Sequence, residues 1–548
     1  MGIFSTIFGA SPTPPKTSLW PDEFAQQFFI TEKARENAAA FDDISRSLAA
    51  IDECLAGGER VVLGSTLGSI PERAQSKHFW QGWIALSKME LLRHICAIGG
   101  SGSGKTSRLL YPLLFQVLAH FHDSSCFSIC IKDSSVSEFR SILDAFGDRP
   151  YCIVQPNGGT PWNLLDGLTA SEAAAMLSDI YSGKSDISKY FASLATRRAQ
   201  AALTVVQALP IPRTLYQLYK YCFAPAFEKQ CNEHALGILQ QKMVVGSHDY
   251  EALVEALNFS TIEFGKMDHV QKSNISNTLS RSLGIFASPD IRQCFAPEGV
   301  DSLDIDHAIA NGLSVAVHVP TEFRAEADTL YGLAKRRFSE AVFRRPMEKR
   351  NRLVLALLDE AQAYLSPQDG DLFDLARVYG LCICASLNSF SSFLSQFADR
   401  NLAMKIFENM SCKVIFDLNR DLLGELQAIT GKAKVITRSK STTDSSSETH
   451  AGLNTPGSSG VNRGGGTSQS ETYIDLIDGS TLLNARDGEA LVIAKTCGRT
   501  LVDLCTLPLL RPEPGEEISP DYPATPVWTP CPTVDPSGRA AQALAKLS

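Results

Sequence analysis

The stretch Gly99–Thr106 reads GGSGSGKT, a complete phosphate-binding loop of the form G-x-x-x-x-G-K-[ST]. Its flanks suit that reading. Ile95–Ile98 (ICAI) enters it as a short apolar strand, and Ser107–Val117 (SRLLYPLLFQV) leaves it with apolar residues at helical spacing. Strand, glycine-rich turn and helix let backbone N–H groups curl around an anionic phosphate at a helix N-terminus. In this frame Gly99, Gly100, Ser101, Gly102, Ser103, Gly104 and Ser107 form the cradle. Lys105 reaches the β- and γ-phosphates and Thr106 holds Mg²⁺. The loop predicts a site for ATP and Mg²⁺.

Such a loop needs an acid at the end of a nearby buried strand. Leu353–Leu358 (LVLALL) is an apolar run that ends in Asp359-Glu360. Both carboxylates then sit at the C-terminal edge of the sheet, where ligands bind in open α/β folds. Asp359 is expected to act on Mg²⁺, and Glu360 to polarise the attacking water. Leu381–Leu387 is a further apolar strand, ending in Asn388. Asn388 is either a strand-end turn residue or a group that contacts the γ-phosphate. Arg377, just before that strand, is either a solvated surface residue or an arginine finger for a neighbour's site.

The whole chain sets the bounds. At 548 residues it can bury a large core in two or three domains. A net charge of −9 excludes a broadly basic surface but allows a local basic channel. Fourteen scattered cysteines without CxxC pairs suit a reducing cytoplasm. No run approaches 18 apolar residues, and Met1–Ala10 lacks the basic start of a signal peptide.

Composition divides the chain further. Residues 1–90 form a mixed segment with a Ser/Pro-rich, disordered start and a helical stretch over Thr31–Ala56. Residues 91–167 open the nucleotide-binding domain, with strands at Ser125–Lys132 and Tyr151–Val154. Residues 168–295 read as an all-helical insertion, including Ala170–Tyr181 and Ser188–Leu209. Strands resume at Leu313–Val319, so residues 296–508 complete the α/β domain, with a mainly parallel sheet. Within them 437–471, rich in Ser, Thr and Gly, reads as a disordered loop, and 509–548 as a Pro-rich tail.

The order of these segments resembles the TraG/TraD-like coupling ATPases of conjugation and type IV secretion, over roughly residues 90–508. The resemblance is carried by RHICAIGGSGSGKT, the WNLLD run at Trp162–Asp166, Ser273–Phe286, LLDEAQAYL, ARVYGLCICASLNS, Glu408–Phe416 and Asp487–Ile493. Departures are Lys132 as the lone survivor of a D-P-K-G run, Leu164 for a proline, Asn388 for a glutamine, and no N-terminal membrane anchor. The resemblance implies a RecA-like ATPase domain with an inserted all-α domain. It also implies a homo-hexameric ring with shared ATP sites, and a motor that draws DNA through a central channel. Its partners would be a relaxase or secretion-channel proteins. The expected setting is the cytoplasm, with contact to the bacterial inner membrane only through a partner. A soluble hexameric translocase in defence, segregation or repair is the alternative motor reading, and an ATP-switched scaffold the non-enzymatic one.

Overall fold

A computed structural model describes residues 60–510, apart from 71–82, 148, 182–185, 242, 449–458, 483–484 and 497–498. The expected helix at Thr31–Ala56, the N-terminal start and the tail beyond Leu510 lie outside the described residues.

The apolar runs read from the sequence become neighbouring strands of one sheet. Its strands are β1 (Arg60–Thr66), β2 (Trp83–Ser87), β3 (Ile95–Ile98), β4 (Ser125–Cys130), β5 (Tyr151–Val154) and β6 (Ser314–His318). The others are β7 (Val354–Leu358), β8 (Leu381–Leu387), β9 (Cys412–Ile415), β12 (Glu489–Thr496) and β13 (Arg499–Thr506). They lie in the order β2-β1-β13-β12-β9-β3-β8-β7-β4-β6-β5. From β9 to β5 every pairing is parallel; from β9 to β2 every pairing is antiparallel. Strands covered on both faces read as continuous apolar runs, which is why the parallel part was visible in the sequence.

Side chains alternate between two cores across this sheet. Ile95 and Ala97 face one, with Leu110, Leu113, Leu114 and Val117 of the helix that follows the glycine-rich loop. Cys96 and Ile98 face the other, with Leu330, Ala334 and Phe338 of helix Arg324–Phe343 and the helical insertion.

Between β5 and β6 the chain is helical from Ala170 to Phe295 among the described residues. Thr169 and Glu172 close the first of these helices with a reciprocal capping box, at 3.2 Å and 2.7 Å. The insertion is pinned where it leaves and returns: Trp162 N–H donates to the Cys294 carbonyl and Leu303 N–H to that of Pro161.

Two expectations are corrected. Residues 60–87 are not part of a separate N-terminal segment: β1 pairs with β13, so they complete the antiparallel wing of the same sheet. That partner lies more than 400 residues away, and nothing local announces it. The expected disordered loop over 437–471 is instead most of an antiparallel ribbon, β10 (Lys432–Glu448) with β11 (Ser459–Asp475). Ser, Thr and Gly offer little to bury, but backbone pairing needs no apolar side chain. No helix among the described residues is long and apolar enough to cross a membrane.

Candidate nucleotide site

Strand adjacency builds the site. β8 lies between β3 and β7, so the loop after β3, Asn388 after β8 and Asp359-Glu360 after β7 emerge side by side. Ile98 is level with Leu387, and Leu358 with Ala385. The resulting cavity is lined by Ser101–Ser107, Tyr111, Lys132, Ser134, Ser135, Glu138, Asp359, Glu360 and Asn388.

The loop conformation needs its glycines. Gly102 and Gly104 have φ of +81° and +92°, the left-handed region that glycine tolerates. A Cβ on Gly99 would stand 2.6 Å from Ser103 Oγ and 2.7 Å from Phe416 Cβ. Ser103 Oγ is buried without a hydrogen-bond partner, as suits an atom meant for a ligand oxygen.

Lys105 folds back over the loop. Its Nζ donates to the carbonyls of Gly99 (2.5 Å) and Gly100 (2.9 Å) and to Asn388 Oδ1 (3.2 Å). Burial lowers its pKa; the carboxylates of Asp359 and Glu360 oppose that, and Lys132 adds to it. The cleft thus opposes two lysines to a pair of acids.

The acids are held by their neighbours. Asp359 is buried. Its Oδ1 accepts from Ser386 Oγ and, at 3.1 Å, from Glu360 N–H. Tyr364 Oη donates to the Asp359 carbonyl at 2.7 Å. Glu360 N–H also donates to Ser386 Oγ at 3.0 Å. Glu360 has φ +45° and ψ +43°, a left-handed conformation that costs a glutamate of order 1 kcal/mol and needs such restraint. Gln362 Oε1 accepts from Asn388 N–H at 3.2 Å, tying the ends of β7 and β8 together.

Of the residues singled out from the sequence, the loop from Ser101 to Gly104, Lys105, Thr106, Ser107, Asp359, Glu360 and Asn388 line the cavity, whereas Gly99 and Gly100 do not. Nor does Arg377. It is exposed in a 3-10 turn before β8, at the opposite edge of the sheet. The seven residues of β8 put about 23 Å between those edges. Sequence reading missed Ser386, Gln362 and Tyr364. Ser386 alone left a trace, as the hydroxyl inside the apolar run of β8.

The parallel sheet, the P-loop and the acid-bearing neighbour strand have known counterparts. Residues 353–485 match the family model described as the TraM recognition site of TraD and TraG. Over that stretch the chain is similar to TraD and TraG. Three solved structures of the plasmid coupling protein TrwB share its fold. TrwBΔN70 in a trigonal form with sulphate has a TM-score of 0.53 at 16% identity, covering 82% of this chain and 93% of that one. TrwB with ADP and Mg²⁺ gives 0.53 at 15% identity, covering 83% and 95%. TrwB with the non-hydrolysable ATP analogue ADPNP gives 0.53 at 15% identity, covering 82% and 94%. At these identities the likeness establishes the fold alone: a RecA-like domain with an inserted all-α domain. No curated protein sequence matches the chain.

Proposed function

We propose that this TraG/TraD-like chain is an ATP-hydrolysing motor of the conjugative coupling type, which moves DNA or a DNA–protein complex through a ring of its own copies. The observation that carries the reading is the convergence of Lys105, Thr106, Asp359, Glu360 and Asn388 on one cavity. The binding of ADP with Mg²⁺ and of ADPNP by TrwB, which shares the fold, supports the ligand assignment.

The residues fit that ligand. Loop N–H groups and Ser103 Oγ would take phosphate oxygens, and Lys105 would exchange its carbonyl partners for the β- and γ-phosphates. Thr106 and Asp359 would hold Mg²⁺, which neutralises charge developing on the phosphates. Glu360 would take the proton of the attacking water, and Asn388, already on Lys105, would respond to the γ-phosphate. Arg377, far from its own cavity, would complete the site of the next subunit.

DNA, the ring and a cytoplasmic setting, with membrane contact through a partner, belong to the same proposal. The description of the matched family model makes a TraM-type protein the partner to test against residues 353–485.

ATP turnover of the purified protein with and without DNA tests the reading. Lys105→Ala and Glu360→Gln should each lower DNA-stimulated turnover by roughly 10²-fold or more, the range of general-base loss. Glu360→Gln should still bind ATP. Unchanged turnover in Glu360→Gln would remove the assigned base, and turnover indifferent to DNA would remove the motor.

A further inference from the structure

The ribbon β10–β11 contributes nothing to the nucleotide cavity, yet it is the longest regular pairing of strands among the described residues. Seventeen residues of each strand pair without a break, from Lys432↔Asp475 to Glu448↔Ser459, and no third strand joins them among the described residues. At about 3.3 Å per residue the ribbon is about 56 Å long. Both long edges carry backbone N–H and C=O groups that the ribbon itself leaves unpaired. A lone two-stranded hairpin is marginal in water, and needs further strands or a packed face to stand. This one has little to pack: beyond Ile436, Val461 is its one aliphatic residue up to Glu471. Neither strand contains proline, and the register has no bulge.

Charge along the strands says what completes it. From base to tip, β10 carries Lys432, Lys434, Arg438 and Lys440, then Asp444 and Glu448. Over the same course β11 carries Asp475 and Glu471, then Arg463. At the base β10 is basic and β11 acidic, and toward the tip the signs are reversed, while Arg438, Lys440 and Glu448 face the neutral Gln469, Thr467 and Ser459. Within the ribbon this already yields Lys432–Asp475 at 3.6 Å, Lys434–Glu471 at 2.8 Å, and Asp444 in register with Arg463. The outer edges present the same complementary sequences to a neighbour. With ribbons pointing the same way, β10 against a second β10 lays base cations on base cations. β10 against a second β11 repeats the favourable pairing.

We propose that β10 of one copy adds antiparallel to β11 of the next, at the same level, so that the ribbons close into a β-cylinder with two strands from each subunit. Closure follows because such a head-to-tail contact forms a ring when its rotation closes. The proposal rests on the ring of the proposed function, but not on nucleotide hydrolysis.

Single-cysteine variants of the full chain test it. Ser441→Cys and Gly466→Cys occupy one register level. The two proteins are mixed with ATP, Mg²⁺ and DNA, treated with a short bismaleimide, and the linked peptides identified by mass. A 441–466 link between copies is expected in the mixture, with no self-link in either variant alone. A 441–441 link would mean two-fold pairing and overturn the proposal. Absence of any ribbon link would overturn it as well, whether the protein has assembled or stayed monomeric. Hydrogen exchange gives a second reading without substitutions. In the assembled protein nearly all amides of 438–447 and 460–469 should be protected, and prompt exchange of about half of them would also overturn the proposal. Hydrolysis without the link leaves the nucleotide reading standing, and the link without hydrolysis leaves the cylinder standing.

Discussion

At the scale of single residues the site depends on a group that carries no charge. Ser386 touches both acids: its hydroxyl donates to Asp359 Oδ1 and accepts from the Glu360 backbone N–H. It holds the Asp359 carboxylate, the proposed Mg²⁺ ligand, and the left-handed turn at Glu360. Removing the partner of a metal-facing ligand typically costs 10–100-fold in metal affinity. Ser386→Ala should therefore raise the Mg²⁺ concentration for half-maximal ATP turnover by roughly 10-fold or more. A Mg²⁺ titration checks this, and an unchanged midpoint would show that Ser386 only fills space. The contrast with Lys105 explains what the sequence discloses. Lys105 sits in a pattern whose spacing is the one that a phosphate-cradling loop requires, so it is legible. Ser386 acts through a contact between two strands 27 positions apart, and a serine in a strand has many bland explanations.

At the scale of elements, strands covered on both faces declared themselves, whereas those on the antiparallel wing did not. β7 is apolar along its whole length and β8 is apolar but for Ser386. β1 and β2 depend on β13, at the far end of the chain. The junction of elements at His94 shows how such distant pieces are locked. His94 has φ +65° and precedes β3. Its Nδ1 accepts the Ile383 N–H of β8 at 3.1 Å, and its Nε2–H donates to the Phe373 carbonyl at 3.1 Å. Burial lowers its pKa to about 4, against a smaller opposing effect of the Phe373 bond. The unfolded chain, near 6.5, binds the proton more readily than the fold does. Stability from this group is therefore fully present above pH 6.5 and is lost as pH falls toward 4. The span corresponds to about 3 kcal/mol. Urea midpoints between pH 7 and pH 4 should fall steeply in the wild type. In His94→Asn, which tolerates the left-handed backbone and cannot titrate, the midpoint should start lower and fall less. Parallel pH profiles in the two proteins would remove His94 as the cause.

At the scale of the whole molecule, the position of Arg377 divides the proposed site between copies. The residue lies at the N-terminal edge of the strands whose other ends hold the phosphate loop, and β8 alone spans about 23 Å between those edges. No side chain spans that distance, so an effect of Arg377 on chemistry must be felt in a neighbour. The order of motifs made a shared site readable in the sequence only through a family resemblance. In the structure the motif residues emerge at one edge of the sheet and Arg377 lies at the other, the arrangement that the proposed shared site requires. Mixing experiments separate the two arrangements. Lys105→Ala and Arg377→Ala should each be nearly inactive alone, since an arginine finger is worth 10³–10⁵ in turnover. In an equal mixture, about a quarter of the interfaces of a head-to-tail ring would join an intact Lys105 to an intact Arg377. ATP turnover should then recover to a measurable fraction of the wild-type rate. If Arg377 served its own chain, every subunit in the mixture would carry one lesion in its own site. Turnover would then stay at the sum of the two variants measured separately.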